Sequence, residues 1–264
     1  MFLKRHLIIL GISTLIILSS CSGYEKLLKS KDYNLKYNAA LEFYNNKKYS
    51  KAVGLFEQLI PVYRGTERSV DVNYYQAKCY YKQKDYYMAG YYFNNFSKSF
   101  PKDSRVEEGD FMVAYCFYLT SPRPQLDQDI TQKSLAAFYT FLAKYPKTKR
   151  KKDIQNYIDE LQHKLIEKSF NNSKLYYDLG RYKSAIVALK NSLLDHPNTP
   201  FREEIMFLLV KSNYQLAYDS VEEKKKKRFQ NTVDEYFSFI SEFPESKYSK
   251  DVKKMYEVAN KYLQ

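Results

Sequence analysis

The 264-residue chain has no tryptophan, 7 glycines, 8 prolines, three histidines and three cysteines. So few glycines leave no Gly-rich loop for phosphates and no strand-turn-helix nucleophile elbow. His6, His163 and His196 stand apart from one another and from any cysteine or carboxylate at metal-ligand spacing. Carboxylate pairs such as Glu107-Glu108 and Glu222-Glu223 read as solvated helix faces. The expectation is a non-enzyme with no catalytic residue, no metal and no cofactor. Scarce breakers, with abundant Lys, Leu, Tyr, Ala and Glu, favour helix over sheet.

What is plentiful is the aromatic ring and positive charge. With 28 Tyr and 17 Phe, the core must be built largely from rings. Lys and Arg number 43 against 30 Asp and Glu, a net charge of +13. That balance suits anionic membrane surfaces or acidic partner faces. No recognisable module sets the basic residues among base-stacking aromatics, so no nucleic acid is expected.

At the N-terminus, Lys4 and Arg5 precede an apolar run from Leu7 to Leu18 and then Leu18-Ser19-Ser20-Cys21. The run is shorter than the ~20 residues of a spanning helix, and its flanks are those of an export signal. Small residues directly before a cysteine after such a run form the bacterial lipobox. Residues 1–20 read as a lipoprotein signal peptide, with Cys21 the lipidated residue and 21–32 a lipidated linker. Several acyl chains on one cysteine give stable anchoring. Loss of Lys4 and Arg5 with the signal leaves 41 basic against 30 acidic residues, +11. Cys79 and Cys116 occupy near-equivalent positions two residues from Ala77 and Ala114. They read as small buried core residues, with a disulfide the alternative in an exported chain.

The remainder is organised around NYYQAKCYYKQKDYYMAGYYFNNFSKSFP, Asn73 to Pro101. Against the tetratricopeptide (TPR) template it supplies Ala77, Tyr80, Tyr86, Ala89, Phe93, Phe96 and the closing Pro101. Small residues let two antiparallel helices approach, and bulky ones three or four positions on fill the groove beside them. The pattern recurs with Ala40, Phe43, Tyr49, Ala52 and Phe56; with Ala114, Phe117, Ser134, Phe138 and Phe141; and with Ser173, Tyr176, Tyr182, Ala185 and Leu189. A fifth unit carries Thr232, Tyr236 and Phe239, behind a charged connector from Glu222 to Arg228. The second-helix endings SFPKDSR, KYPKTKR, DHPNTPFR and EFPESKY repeat at Pro101, Pro146, Pro197 and Pro244. The expected fold is all-α, an α-solenoid of about five TPR repeats with ten or more helices and a capping helix from Val252 to Tyr262. Residues 33–146 hold repeats one to three and 147–264 hold repeats four and five with the cap. Tyr24 to Asp32 reads as a short polar lead.

In that template the first helices line a concave surface, at positions three before, one after and four after the small residue. These are Tyr37, Leu41 and Tyr44; Tyr74, Lys78 and Tyr81; and Phe111, Tyr115 and Tyr118. Part of this row is expected to pack against neighbouring repeats. The rest would form a groove for an aromatic-rich extended peptide, because tyrosine gives contact area at low entropy cost. Lys78 would face a terminal carboxylate. The basic runs from Lys147 to Lys152 and from Lys224 to Arg228 read as solvated connectors, or as contacts to headgroups or an acidic partner.

Lipobox, short lead and five repeats together resemble the BamD family, the TPR lipoproteins of the outer-membrane β-barrel assembly machinery. The stretches Tyr63-Arg-Gly-Thr66, Ser121-Pro-Arg-Pro-Gln-Leu-Asp-Gln128, Ser220-Val-Glu-Glu-Lys-Lys225 and Phe243-Pro-Glu-Ser-Lys-Tyr248 sharpen the likeness. The resemblance implies a protein of the cell outer membrane, lipid-anchored through Cys21 and facing the periplasm. It implies docking of the C-terminal repeats, with Lys224, Lys225 and Arg228 as candidate contacts, on the POTRA domains of BamA. It also implies recognition by the N-terminal repeats of the C-terminal targeting signal of unfolded outer-membrane β-barrel proteins. The alternative function is a TPR lipoprotein scaffold for other cell-envelope or peptidoglycan machinery.

Overall fold

A computed structural model describes residues 23–264; the lipobox and Cys21 lie outside the described residues. After a helical stretch over 23–29 come α1 (Tyr33–Asn45), α2 (Tyr49–Tyr63), α3 (Arg68–Lys82), α4 (Tyr86–Ser99), α5 (Val106–Thr120), α6 (Asp129–Lys144), α7 (Lys151–Asp178), α8 (Tyr182–Asp195), α9 (Arg202–Tyr218), α10 (Glu222–Glu242) and α11 (Ser249–Leu263). No strand occurs among the described residues. The helices alternate as first and second members of antiparallel pairs, and α11 packs on α10 and α9. The expected all-α TPR architecture is the observed one.

The template residues are the core. Ala40, Ala52, Ala77, Ala89, Ala114, Ser134 and Ala185 are fully buried, each where two helices approach. Phe56, Phe93, Phe138, Leu189 and Phe239 are likewise sealed, the bulky partners that fill the adjoining grooves. The turns inside the pairs share one construction. Lys47, Lys84 and Gly180 all adopt left-handed backbone, with φ of 59°, 64° and 68°. At each, the amide of that residue and the next reach back to the preceding helix: Lys47 to Tyr44 O and Lys48 to Phe43 O at 3.0 and 2.8 Å, with the same pattern at Lys84 and Gly180. This is the Schellman closure, which satisfies carbonyls otherwise left open at a helix end. Side-chain caps from Asp32 to the Leu35 amide and from Asp85 to the Met88 amide then start α1 and α4.

Three local readings change. The lead is not a free polar tether: Tyr24, Leu27 and Leu28 pack against the first repeat. The Tyr24 hydroxyl donates to Lys51 O at 3.0 Å, and its ring meets Phe43 edge-on. The charged stretch from Glu222 to Arg228 is the start of α10 rather than a connector, because Glu222 and Glu223 favour a helix N-terminus and Glu222 pairs with Lys225 one turn on at 3.1 Å. The fourth repeat's first helix is the C-terminal part of α7, one continuous helix of 28 residues. On it Tyr176 is exposed, and the neighbouring Tyr177 joins the core instead.

The chain divides into two compact units. One takes residues up to Pro122 together with Asp129–Ile158; the other takes Arg123–Gln128 and Asp159–Gln264. The first unit's core gathers Ala40, Ala52, Leu55, Phe56, Leu59 and Val72. The second has a cluster of Phe170, Ala185, Leu189 and Ile205 and another of Met206, Phe207, Val210, Phe239 and Val252. The inserted loop Arg123–Gln128 is tied to its own unit by the Lys168 ammonium, which donates to Leu126 O at 2.6 Å. Cys79 and Cys116 are buried free thiols, and burial pushes each up to about 12. That outcome is the small-core-residue reading and not the disulfide.

Candidate functional site

The first-helix face is built by a device that recurs in every repeat. The aromatic three residues before the small position is covered by the residue that opens the next first helix. Arg68 lies over the Tyr37 ring at 5.1 Å, Arg105 over Tyr74 at 4.8 Å and Arg150 over Phe111 at 4.4 Å. In the second unit the covering residue is itself a ring. Phe201 stacks on Phe170 at 4.5 Å and Tyr248 on Phe207 at 4.0 Å. A flat guanidinium or a ring matches the face of an aromatic equally well.

Three residues beyond each covering residue stands an acid: Asp71, Glu108, Asp153, Glu204 and Asp251. Each lies in the first turn of its helix, where negative charge complements the helix dipole. Several also reach back to the preceding repeat. The Tyr37 hydroxyl donates to Asp71 at 3.0 Å, and Asp71 in turn accepts from Arg105 at 2.8 Å. The Tyr74 hydroxyl donates to Glu108 at 2.6 Å, and Lys78 pairs with the same carboxylate at 3.2 Å. Lys174 repeats that ion pair with Glu204 at 2.9 Å.

Burial alone would raise the Glu108 carboxyl, but the Tyr74 hydroxyl and the Lys78 ammonium outweigh it and hold the group below its ordinary value. Burial and the bond to Asp71 push the Tyr37 phenol up to about 12. Burial does the same to Tyr44, also to about 12. Tyr37 and Tyr44 are therefore neutral phenols, and Lys78 and Arg105 are already paired with carboxylates.

The nine sequence-derived groove positions fall into two sets. Tyr74 and Phe111 are only 7% and 6% exposed. Covered by Arg105 and Arg150, they cement one repeat to the next and offer no contact surface. Tyr37, Leu41, Tyr44, Lys78, Tyr81, Tyr115 and Tyr118 are half-buried. Tyr44 meets Tyr49 and Tyr75 edge-on, and Tyr81 meets Tyr86. Tyr115 and Tyr118 lie against each other and against Tyr157 of α7. Lys78 is engaged by Glu108, so an incoming carboxylate would have to compete with that partner.

In the second unit, Lys224 and Arg228 line a cleft of ≈ 370 Å³ with Lys183 and Lys227. Arg228 is tied to the end of α9, donating to Leu216 O at 3.3 Å and to Ser220 Oγ. Lys225 turns aside, over the Tyr262 ring at 5.5 Å. Neither face assembles catalytic groups, and no cluster of three or more His, Cys, Asp or Glu suited to a metal occurs among the described residues. The sequence reading missed the covering residues and their acids. Their signal was available: an Arg or aromatic four residues after each of Pro101, Pro146, Pro197 and Pro244, with an acid three further on.

The chain has relatives among known proteins. A curated relative from Aquifex aeolicus (strain VF5), named "Putative outer membrane protein assembly factor BamD", is 23% identical over 252 residues, covering 95% of this chain and 80% of that protein. The outer membrane protein assembly factor BamD of Caulobacter vibrioides is 22% identical over 201 residues, 74% of this chain and 65% of that protein. Among solved structures, the P58(IPK) TPR domain is similar with a TM-score of 0.41 and 12% identity, covering 90% of this chain and 67% of that one. A thermophilic TPR protein of Thermus thermophilus gives a TM-score of 0.33 at 14% identity, covering 86% of this chain and 98% of that one. The YfiO family model, described as outer membrane lipoprotein, matches residues 29–187 and 169–264. With both units matched, the chain belongs to the YfiO family of outer membrane lipoproteins.

Proposed function

We propose that this protein is an outer-membrane assembly factor, a non-enzymatic adaptor lipid-anchored at Cys21 and facing the periplasm. In this reading repeats one to three take unfolded β-barrel proteins by their C-terminal targeting signal. Repeats four and five dock on the POTRA domains of BamA, with the basic cleft of Lys183, Lys224, Lys227 and Arg228 as the contact surface. The family match across both units carries the reading. It is supported by relatives named as assembly factors, by the lipobox ending at Cys21, and by half-buried tyrosines along the first-helix face.

The test is affinity purification of the lipidated protein from detergent-solubilised outer membranes, with mass spectrometry of what accompanies it. A stoichiometric barrel protein bearing POTRA domains is expected. Recovery of only peptidoglycan-processing or transport components would overturn the assembly role and favour a scaffold. Charge reversal at Lys224 and Lys227, both exposed, is expected to lower recovery of that partner at physiological salt without loss of helicity.

A further inference from the structure

In the first unit, α5 is flanked by α4 and α6. By helical register, Val113, Phe117 and Thr120 lie on the side of α5 opposite the Phe111–Tyr115–Tyr118 row. There the gap between α4 and α6 holds a cavity of ≈ 560 Å³ lined by Tyr87, Gly90, Tyr91, Phe117 and Ile130. Gly90 lets α4 and α5 approach closely beneath it: a Cβ at that position would meet the Cys116 Cβ at 3.3 Å. At the rim Tyr87 and Tyr91 are 78% and 55% exposed, large apolar surface of the kind that folding alone would remove from water.

A second cavity of ≈ 330 Å³ shares Asn94 and Val113 with the first and runs on to Lys98 and Lys144. Lys144 is paired with Asp110 at 2.6 Å, and Asp110 also accepts from the Tyr145 hydroxyl at 2.8 Å. Lys98 is exposed and has no acidic partner among the described residues. The two compartments thus differ in chemistry while adjoining each other: an apolar one sized for an aromatic or large aliphatic side chain, then one with an uncompensated cation. Such a pocket, apolar with a few polar groups at one end, fixes both the identity and the direction of what enters it.

We propose that this paired cavity is a peptide-binding site for an extended segment in which an apolar side chain is followed directly by a carboxylate. The apolar group enters between Tyr87, Tyr91 and Phe117, and the carboxylate lies at Lys98. The inference rests on the substrate-binding reading above and moves its anchoring contact from the first-helix row to the α4–α5–α6 side. The row's two innermost rings, Tyr74 and Phe111, are consumed in joining repeats, and its lysine is already paired. The α4–α5–α6 cavity has open volume and, in Lys98, a cation at its edge.

The experiment measures fluorescence anisotropy of labelled ten-residue peptides with the full lipidated chain in detergent. The peptides end in Phe with a free carboxylate, in Phe amide, or in Ser. Tyr87→Glu, which places a charge beside the apolar mouth, is expected to weaken the Phe-acid peptide about tenfold or more. Lys98→Glu is expected to weaken the acid peptide and leave the amide unchanged. The Ser peptide should bind no better to wild type than to Tyr87→Glu. Both substitutions sit on exposed positions, so circular dichroism should be unaltered. Wild-type affinity in both variants, with binding lost in Leu41→Glu instead, would overturn this site while leaving the substrate reading intact. If no peptide binds the wild-type chain, the substrate reading itself fails and this site with it.

Discussion

Glu108 shows how single residues hold consecutive repeats together. Its carboxylate accepts from Tyr74 at 2.6 Å and pairs with Lys78 at 3.2 Å, both on the helix of the preceding repeat. Tyr74 is buried, so its hydroxyl has no ready replacement in water. Glu108→Gln keeps an acceptor for Tyr74 but removes the charge. The expected loss is about 1 kcal/mol at neutral pH, kept small because the ion pair is partly exposed and screened. The folded carboxyl lies below its ordinary value. Its contribution is therefore fully present above the unfolded pKa of ~4.3 and fades as pH falls through the lower folded value. Urea unfolding at pH 7 and again near pH 3 checks this. The gap between wild type and Glu108→Gln should narrow in acid; a gap that stays constant or widens would remove the ionic interpretation.

At the scale of elements, the Schellman turns recur with different residues in the same backbone state. Gly180 takes the left-handed conformation at no steric cost, whereas Lys47 and Lys84 carry a Cβ into it at φ of 59° and 64°. Lys47→Gly and Lys84→Gly should each stabilise the fold by about 0.5–1 kcal/mol, the relief of strain being partly offset by the freer unfolded chain. Denaturant midpoints of the single and double variants report this. The sites are in separate turns, so the gains should add. Much of the element order was legible beforehand, because Ala40, Ala77 and Ala114 must face a crossing helix and the closing prolines must end one. The helical stretch over 23–29 was not legible. Seven helical residues carry too little periodicity to separate from a polar lead; they are stabilised by the docking of Tyr24 on Phe43 and Lys51 O and of Leu27 and Leu28 on the first repeat. The start of α10 was missed because a run of charges resembles a solvated connector until Glu222 is seen at a helix N-terminus. The α4–α5–α6 cavity was hidden for a further reason. It depends on how α4 and α5 approach at Gly90 and on where α6 lies after the inserted loop, and neither is a property of a sequence period.

At the scale of the whole molecule, each unit has the contacts of a repeat protein: helices pack on their neighbours in sequence, and the long-range partners are one repeat away. In such an architecture stability is close to a sum of repeat and interface terms, so a lesion is felt most where it is made. Phe239 makes this testable. It is fully buried in α10 and packs in one cluster with Met206, Phe207, Val210 and Val252. Phe239→Ala should cost about 3–5 kcal/mol, the transfer of the ring plus the cavity left behind. Hydrogen exchange should show that loss in α9, α10 and α11, whose cores share the cluster. The amides of α1 to α4, held by the separate cluster around Leu55, Phe56 and Leu59, should keep most of their protection. Equal loss of protection from α1 through α11 would instead mean that the chain unfolds as a single cooperative body. Damage confined to the second unit would allow the proposed division of labour to be probed directly. Peptide capture by the first unit should survive in Phe239→Ala, while recovery of the POTRA-bearing partner falls.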